Sequence, residues 1–435
     1  MHTKNPIASP MHRKWLVLFF GLCCSSVFAQ AQPRMDTLRL PLPSAEKLFL
    51  DSNLQLLAQR YNIDANQALV IQARLWPNPN FSIGHTLYSG ELNKFFPMGR
   101  NQDETTVGLS QLILLAGKRN KQIKLAQENV HLTEYQFFDL LRTLKYTLRT
   151  DFYHIYYLQQ SAKVYDEEIR ALSQVVQAFG EQQGKGYISE KEVVRIKAQL
   201  YNFQSEYSDL INQINDTESE LRLVLQVKPN LFIEPVTDSI QLSKLDPAQF
   251  PLTTLMDSAY HNRTDLQIAR ANTRISQLNY NYQKSLAVPD LSLSLGYDEA
   301  GSFLTNYYGV GASIDLPFFN RNQGNIKSAR AQIAGAQVAQ RSTQATVEEN
   351  VANSLQKAFA QQKLYQTIDP KFYLDFQRLL HEVLSNYQKR NIGLLEFLDF
   401  YDSYKQNTLQ QNTIQFNRIS AFEDINYYTG TNFFY

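Results

Sequence analysis

The chain has 435 residues, which is enough for two or three ordinary domains. Its 42 basic and 41 acidic residues leave a formal charge of +1. This balance excludes a global field that would recruit nucleic acid or an acidic surface, so we expect no nucleic-acid partner.

Residues 1–29 have the pattern of a secretory signal. A basic start precedes an apolar stretch at 15–22, and small residues follow up to Ala29, after which we expect cleavage. Translation could begin at Met1 or at Met11. Both cysteines fall inside this segment without a small residue before them, which disfavours lipidation.

Long helices are predicted wherever glycine and proline are missing over tens of residues. These windows are rich in Gln, Ala, Leu, Glu, Lys and Arg, which favour helix, and their apolar residues recur at threes and fours. One helix over 118–179 would reach about 90 Å, which requires an elongated bundle or coiled coil. The windows are 44–76, 118–179, 187–228, 252–288 and 394–429.

Four segments alternate apolar with small or polar residues and predict strands: 80–88, 105–112, 291–297 and 308–316. Their length and one-sided apolarity match tilted strands in a bilayer. A soluble antiparallel sheet with one face on a core has the same pattern. The signal segment and the long helices favour the membrane. Four strands are too few to close a barrel, so we expect the chain to assemble with copies of itself.

The two halves of the chain repeat one another. Proline marks each change from helix to strand because it cannot donate the backbone hydrogen bond of a continuing helix. Chance similarity between amphipathic segments could explain any single pair of landmarks. Three pairs in order, 210, 203 and 204 residues apart, favour an internal duplication instead. The pairs are Pro79 with Pro289, Gly108 with Gly311, and Ile188 with Ile392.

The repeat predicts a division of the chain into two structural units. The first covers 30–226 and the second 252–435. Between them, residues 227–251 contain four prolines and interrupt the helical pattern, which is typical of a linker.

Four motifs carry a family resemblance: "ARLWPNPNFSIG", "VGLSQLILLAGKRN", "GVGASIDLPFFNRNQGNIKSARA" and "NIGLLEFLDFYDSY". Together they resemble the TolC family of outer-membrane efflux ducts over essentially the whole chain after the signal segment. The stretches "AGKRNKQIKLA" and "FFNRNQGNIKSA" are most similar to the branch that serves heavy-metal efflux of the cobalt-zinc-cadmium and copper-silver types.

The resemblance implies a mixed α and β fold in a homotrimer. Four strands per chain would form one outer-membrane β-barrel, in contact with outer-membrane lipid and continuous with a long periplasmic α-helical barrel. Part of the linker would join a belt around this tunnel. The implied partners are a periplasmic adaptor (membrane fusion) protein and an inner-membrane RND-type pump.

The implied function is passive export, with metal cations as the expected cargo. A multidrug efflux duct or a type I secretion duct is the alternative within the family. From the residues alone, a secreted structural or adhesive coiled-coil protein also stays open. The sequence contains no GxSxG motif, no phosphate loop and no HxxxH motif, so we expect no enzyme, no cofactor and no metal centre.

One acidic cluster follows a predicted helical turn at 391–393. Glu396, Asp399 and Asp402 recur at i+3 on one helical face, which is usually a solvated surface. In a threefold assembly, however, such residues near the axis would form a ring that attracts cations. The resemblance places Glu396 and Asp399 at the periplasmic entrance.

The resemblance also assigns residues that close the entrance. Glu192, after the turn of the first half, and Tyr387 match an acid and a tyrosine that hold the closed state. Ile392 stands where the drug-efflux archetype has an arginine, and Arg390 or Lys389 could replace it.

Overall fold

The structure is a computed structural model that describes residues 36–97, 104–300 and 304–434, and the predicted signal segment lies outside them. The strands are β1 (Asp36–Pro41), β2 (Asn80–His85), β3 (Tyr88–Ser89), β4 (Lys94–Phe95), β5 (Thr105–Ile113), β6 (Leu231–Val236), β7 (Leu291–Ala300) and β8 (Thr305–Ile314). The helices are α1 (Leu42–Ser52), α2 (Leu54–Arg74), α3 (Lys118–Gly184), α4 (Glu190–Leu225), α5 (Ser239–Ser243), α6 (Leu252–Asn262), α7 (Thr264–Leu286), α8 (Gln323–Gln366), α9 (Pro370–Gln388) and α10 (Leu394–Thr429).

Long helices dominate the fold, as the windows without glycine and proline predicted. The longest, α3, has 67 residues and a length of about 100 Å. It continues through Gly180, beyond the predicted end at residue 179, because the end of this helix packs against neighbouring helices. The mixed α and β class is therefore confirmed. None of the helices in residues 36–97, 104–300 and 304–434 combines the length and apolarity that a membrane-spanning helix requires.

Three helices that were predicted to be continuous are interrupted in the structure. The windows 44–76 and 252–288 each break near their start, at Asn53 and at Arg263. Both residues have extended backbone angles, and Asn53 accepts a hydrogen bond from Leu56 N as the cap of α2. The internal repeat also predicts, in the second half, a very long helix equivalent to that over 118–179. It is interrupted between α8 and α9 just before Pro370, which cannot donate to the preceding turn.

The two breaks at Asn53 and Arg263 are 210 residues apart, the same spacing as Pro79 and Pro289. Each follows a helix of 11 residues with nearly the same backbone angles. The recurrence supports the duplication, which stays a prediction along with the domain bounds.

One four-stranded antiparallel sheet contains all four predicted strands, in the order β2-β5-β7-β8. β5 and β7 pair at its centre and so join the two halves of the chain. β2 ends at His85 rather than at residue 88, and the chain then forms the small hairpin β3–β4. β8 covers Thr305–Ile314 rather than 308–316. Its earlier end fits Pro317, which cannot donate a ladder hydrogen bond.

The sheet has one mainly apolar face and one face rich in small residues, because the register mostly pairs like with like across the strands; Gln111 beside Leu293 and Leu112 beside Ser292 are exceptions. The edge strands β2 and β8 are almost fully exposed in the single chain, whereas many residues of the central strands β5 and β7 are half-buried. The apolar face carries Phe81, Ile83, Val107, Leu109, Leu291, Leu293, Leu295, Val310 and Ile314. The other face carries Ser82, Gly84, Gly108, Ser110, Ser292, Ser294, Gly309 and Gly311.

Part of the segment 227–251 is ordered as strand β6, which the linker pattern did not predict. β6 pairs in parallel with β1, and Ile233 at its centre is fully buried. The partner strand lies 195 residues earlier, at the pair Asp36 and Leu231, so a local pattern could not reveal it.

The core consists of two separate clusters along the helices. The larger lies at the level of β1 and β6 and includes Phe152, Leu221 and Phe422. The aromatic ring of Phe434 stacks on Phe422 with 4.8 Å between centroids, which fixes the C-terminal segment to this level. The smaller cluster lies at the far end of α3 and joins the two helical hairpins.

Candidate functional site

The far end of the bundle is built from two helical turns, 185–189 between α3 and α4, and 389–393 between α9 and α10. Gly186 has φ +76°, a left-handed conformation that glycine adopts without strain. Arg390 adopts φ +63° in the other turn, which costs a non-glycine residue free energy and must be offset by its contacts. We call these two turns the tip.

Three aromatic rings pack together in the core of the tip. Tyr387 on α9 stacks on Phe397 of α10 with 4.2 Å between ring centroids and 11° between planes. Phe179, at the end of α3, lies 5.1 Å from the same tyrosine ring. The two hairpins therefore share one apolar core at the tip, and each constrains the other's position.

Glu396 and Asp399 lie in the first turns of α10 and are both exposed. Neither carboxylate makes an ion pair within the residues that the structure describes. The third acid of the cluster differs, because Asp402 lies 3.2 Å from Lys405 Nζ and accepts a hydrogen bond from Gln406. Within this cluster, the two residues expected at the entrance are therefore the ones without an ion pair in the described structure.

Glu192 serves first as a local cap. Its carboxylate accepts a hydrogen bond from Ser189 N at 3.2 Å, while Ser189 Oγ accepts one from Glu192 N at 3.4 Å. This capping box begins α4 immediately after the turn. The role of Glu192 in entrance closure stays a prediction.

Tyr387 is 5% exposed, and its hydroxyl has no hydrogen-bond partner among the described residues. Burial raises the pKa of this phenol above its usual value, and the nearby charge of Glu192 raises the pKa further. The structure thus brings the two predicted closure residues close enough to interact electrostatically. A buried hydroxyl donor without an acceptor lowers the stability of the folded state.

Arg390 connects the two turns of the tip. Its guanidinium donates hydrogen bonds to Tyr187 O at 3.0 Å and to Gln182 Oε1 at 3.4 Å, both in the other hairpin. Arg390 and Lys389 are the two candidates to replace the arginine that the drug-efflux archetype has at the position of Ile392. Of these two, Arg390 makes the hydrogen bonds to the other hairpin. Ile392 itself packs against the tip core.

A charged cluster behind the tip, in which Lys405 and Glu168 are buried and Glu206 is exposed, was missed by the sequence reasoning. Lys405 Nζ lies 2.7 Å from Glu206 Oε2 and 4.2 Å from the ring centroid of Phe203. Glu168, 2% exposed, lies nearby on α3, and its Oε2 has no partner in the described structure. The pKa of Glu168 is raised to about 8, chiefly by burial and secondarily by the charge of Glu167, while the charge of Lys405 acts in the opposite direction.

A sequence signal for this cluster did exist. Glu168 lies midway between Val164 and Leu172, four residues from each, on the apolar stripe of α3. A charged residue on an apolar stripe indicates a buried polar contact. Among the residues that the structure describes, no group of three or more His, Cys, Asp or Glu side chains could hold a metal ion.

The model of the family described as outer membrane efflux protein matches residues 47–225 and 255–369. The cobalt-zinc-cadmium resistance protein CzcC of Cupriavidus metallidurans is 24% identical over 306 residues, which are 70% of this chain and 69% of CzcC. The nickel-cobalt-cadmium resistance protein NccC of Alcaligenes xylosoxydans xylosoxydans is 21% identical over 289 residues, 65% of this chain and 62% of NccC.

The fold resembles solved structures of outer membrane channels. The Campylobacter jejuni CmeC outer membrane channel superposes with a TM-score of 0.75 at 14% identity and covers 90% of this chain and 86% of CmeC.

Proposed function

The chain belongs to the family of outer membrane efflux proteins, and from this premise we propose that it is the exit duct of a tripartite efflux system for metal cations. Members of this family are non-enzymatic transport channels of the outer membrane that extend into the periplasm. In the proposed system, a periplasmic adaptor and an inner-membrane RND-type pump deliver the cargo to the duct.

The observation that carries the proposal is the four-stranded sheet with one apolar and one small-residue face. β2 and β8 are its edges, and neither has a partner strand within the described chain. Exposed edges pair readily with another chain. Three copies joined edge to edge would give twelve strands, enough to close a barrel with the apolar face toward lipid and the small face toward a wide lumen.

The choice of cargo rests on two supports. The relatives CzcC and NccC are both metal resistance proteins by name. At the tip, the free carboxylates of Glu396 and Asp399 would repeat three times around the axis and favour cations over anions. We propose that Glu192, Tyr387 and Arg390 hold this entrance closed in the resting trimer.

The barrel orientation is tested by an arginine on each face of β7. Leu293→Arg should destabilise the inserted trimer by ~2–4 kcal/mol, because it places a cation in lipid. Ser292→Arg, the neighbouring residue on the small face, should cost little because it faces water. Insertion and trimer yield in lipid vesicles measure both variants. Equal tolerance of the two substitutions would contradict the orientation.

The cargo is tested by deleting the gene for this protein in the bacterium that carries it. Loss of the duct should lower the concentration of Co²⁺, Zn²⁺ or Cd²⁺ at which growth stops, and the wild-type chain should restore it. The Leu293→Arg variant, whose inserted trimer should be destabilised, serves as the matched control and should restore tolerance less well than the wild-type chain. Unchanged metal tolerance with raised sensitivity to organic drugs would favour a multidrug duct instead.

A further inference from the structure

Glu168 places a carboxyl group in the apolar packing behind the tip. It lies on α3, is 2% exposed, and its Oε2 has no hydrogen-bond partner within the described structure. The residues one helical turn before and after it, Val164 and Leu172, are buried and apolar. An ionised carboxylate here would lose its hydration without a compensating hydrogen bond at this oxygen. The site therefore favours the neutral, protonated carboxyl.

The cation beside Glu168 already has two carboxylate partners. Lys405 Nζ on α10 lies 2.7 Å from Glu206 Oε2 on α4 and 3.2 Å from Asp402 Oδ1. The ionisable groups of this region are Tyr165, Glu167 and Glu168 on α3, Glu206 and Tyr207 on α4, Tyr387 on α9, and Tyr401, Asp402 and Lys405 on α10. Ionisation of Glu168 would bring a third negative charge to one ammonium, so part of that charge would stay uncompensated.

A row of aromatic rings connects Glu168 to a residue that we propose closes the entrance. Tyr401 on α10 is buried beside Glu168, and burial together with the charge of Glu168 raises the pKa of this phenol. The ring of Tyr401 lies 4.5 Å from that of Phe397, and Phe397 stacks on Tyr387 with 4.2 Å between centroids. Closely packed rings transmit a displacement, because the interior has little free volume to absorb it. A change in packing around Glu168 therefore reaches Tyr387.

We propose that Glu168 is a proton-binding site that regulates the entrance: its carboxyl holds a proton while the two hairpins are packed together, and releases the proton to water when they separate. The inference rests on the proposed closure of the entrance by Tyr387 and adds the ligand that controls it. A rise in pH favours opening, because an open tip exposes the carboxyl to water, where the ionised form is stable. A fall in pH favours closure.

The direction of this pH dependence follows from the pKa of Glu168. The ordinary pKa of a glutamic acid is 4.5, and in the packed tip burial, with the charge of Glu167, raises the pKa to about 8. Below the ordinary value the carboxyl is protonated in both states, and the packing keeps its full stability. Between the two values only the open state releases the proton, so the packed state loses stability as the pH rises. Above the higher value both states are ionised and the loss is complete.

The switch is tested by the reactivity of a cysteine buried in the tip. Cys23 and Cys24, the chain's two cysteines, are replaced by serine, and Val193→Cys is introduced because Val193 is 2% exposed in the core of the tip. Val194→Cys, 58% exposed at the next position, reports how fast an accessible thiol reacts at each pH. The ratio of the two maleimide labelling rates, buried over exposed, measures opening of the tip. Between about pH 5 and about pH 8 this ratio should rise by about tenfold or more.

Two variants assign this pH dependence to Glu168. Glu168→Gln cannot ionise, so its labelling ratio should stay at the low acidic value of the wild type at every pH. Glu167→Gln removes the neighbouring exposed carboxylate and is the matched control. It should retain most of the rise seen in the wild type, because Glu168 stays buried. Glu168→Met, also neutral and of similar length, repeats the measurement if Glu168→Gln does not fold.

A labelling ratio that does not change with pH in the wild type contradicts the switch, as does a rise that Glu168→Gln retains. A ratio that is high at every pH in Glu168→Gln also contradicts it, since Glu168 would then hold the tip closed as an anion beside Lys405. Conductance of the wild-type chain in planar bilayers separates the two proposals. Conducting channels with a constant labelling ratio contradict the switch alone, whereas a pH-dependent ratio without conductance contradicts the duct while the proton site stands.

Discussion

Replacing Arg149 with alanine should lower the free energy of unfolding by about 3–5 kcal/mol, because it leaves a buried carboxylate without its cation. Arg149 on α3 donates to both oxygens of Glu423 at 2.7 Å, and both side chains are 5% exposed. It also binds Glu46 at 2.8 Å, so three helices meet at one guanidinium. Burial alone would lower the pKa of Arg149, but Glu423 and Glu46 raise it and keep the charge.

Thermal unfolding in mild detergent, followed by circular dichroism, measures this loss. Arg170→Ala is the matched control on the same helix, because the pair of Arg170 with Asp166 is exposed and such pairs contribute at most about 1 kcal/mol. The double variant Arg149→Met with Glu423→Leu should recover much of the stability, since it removes both buried charges. A loss for Arg149→Ala no larger than that for Arg170→Ala would refute the role of Arg149.

The second large effect is expected at the entrance. Glu396→Gln together with Asp399→Asn should bring the permeability ratio of K⁺ over Cl⁻ close to one in planar bilayers. Block by divalent cations should weaken by about tenfold or more, which corresponds to a loss of only ~1.4 kcal/mol. The physical reason is that the trimer would lose a ring of clustered carboxylates whose field attracts cations at the narrowest point.

The control for the entrance removes the same charge elsewhere. Asp209→Asn with Glu220→Gln neutralises two exposed acids of α4 away from the tip, and selectivity should stay unchanged. Both double variants should assemble as the wild type does. If the entrance variant kept the wild-type selectivity, Glu396 and Asp399 would be an ordinary solvated helix face or part of the adaptor's docking surface.

The entrance site was only partly accessible to sequence reasoning. Spacing alone grouped Glu396 with Asp399 and Asp402, since all three share a helical face. The ion pair of Asp402 with Lys405 spans three residues of one helix and is within reach of a spacing argument. The hydrogen bonds of Arg390 to the other hairpin, in contrast, join residues that only the packing of the two turns brings together. Partners some 200 residues apart leave no mark on a local pattern.

The sequence by itself determined the local elements, because helix and strand follow from apolar periods of about 3.6 and 2 and from the positions of glycine and proline. It therefore predicted the four strands and most of the helical length. Only the tertiary structure decided the pairing of β1 with β6, the breaks at Asn53 and Arg263, and which charges are buried with partners. These features depend on contacts between distant segments, whose free energy outweighs local propensity once the helices pack.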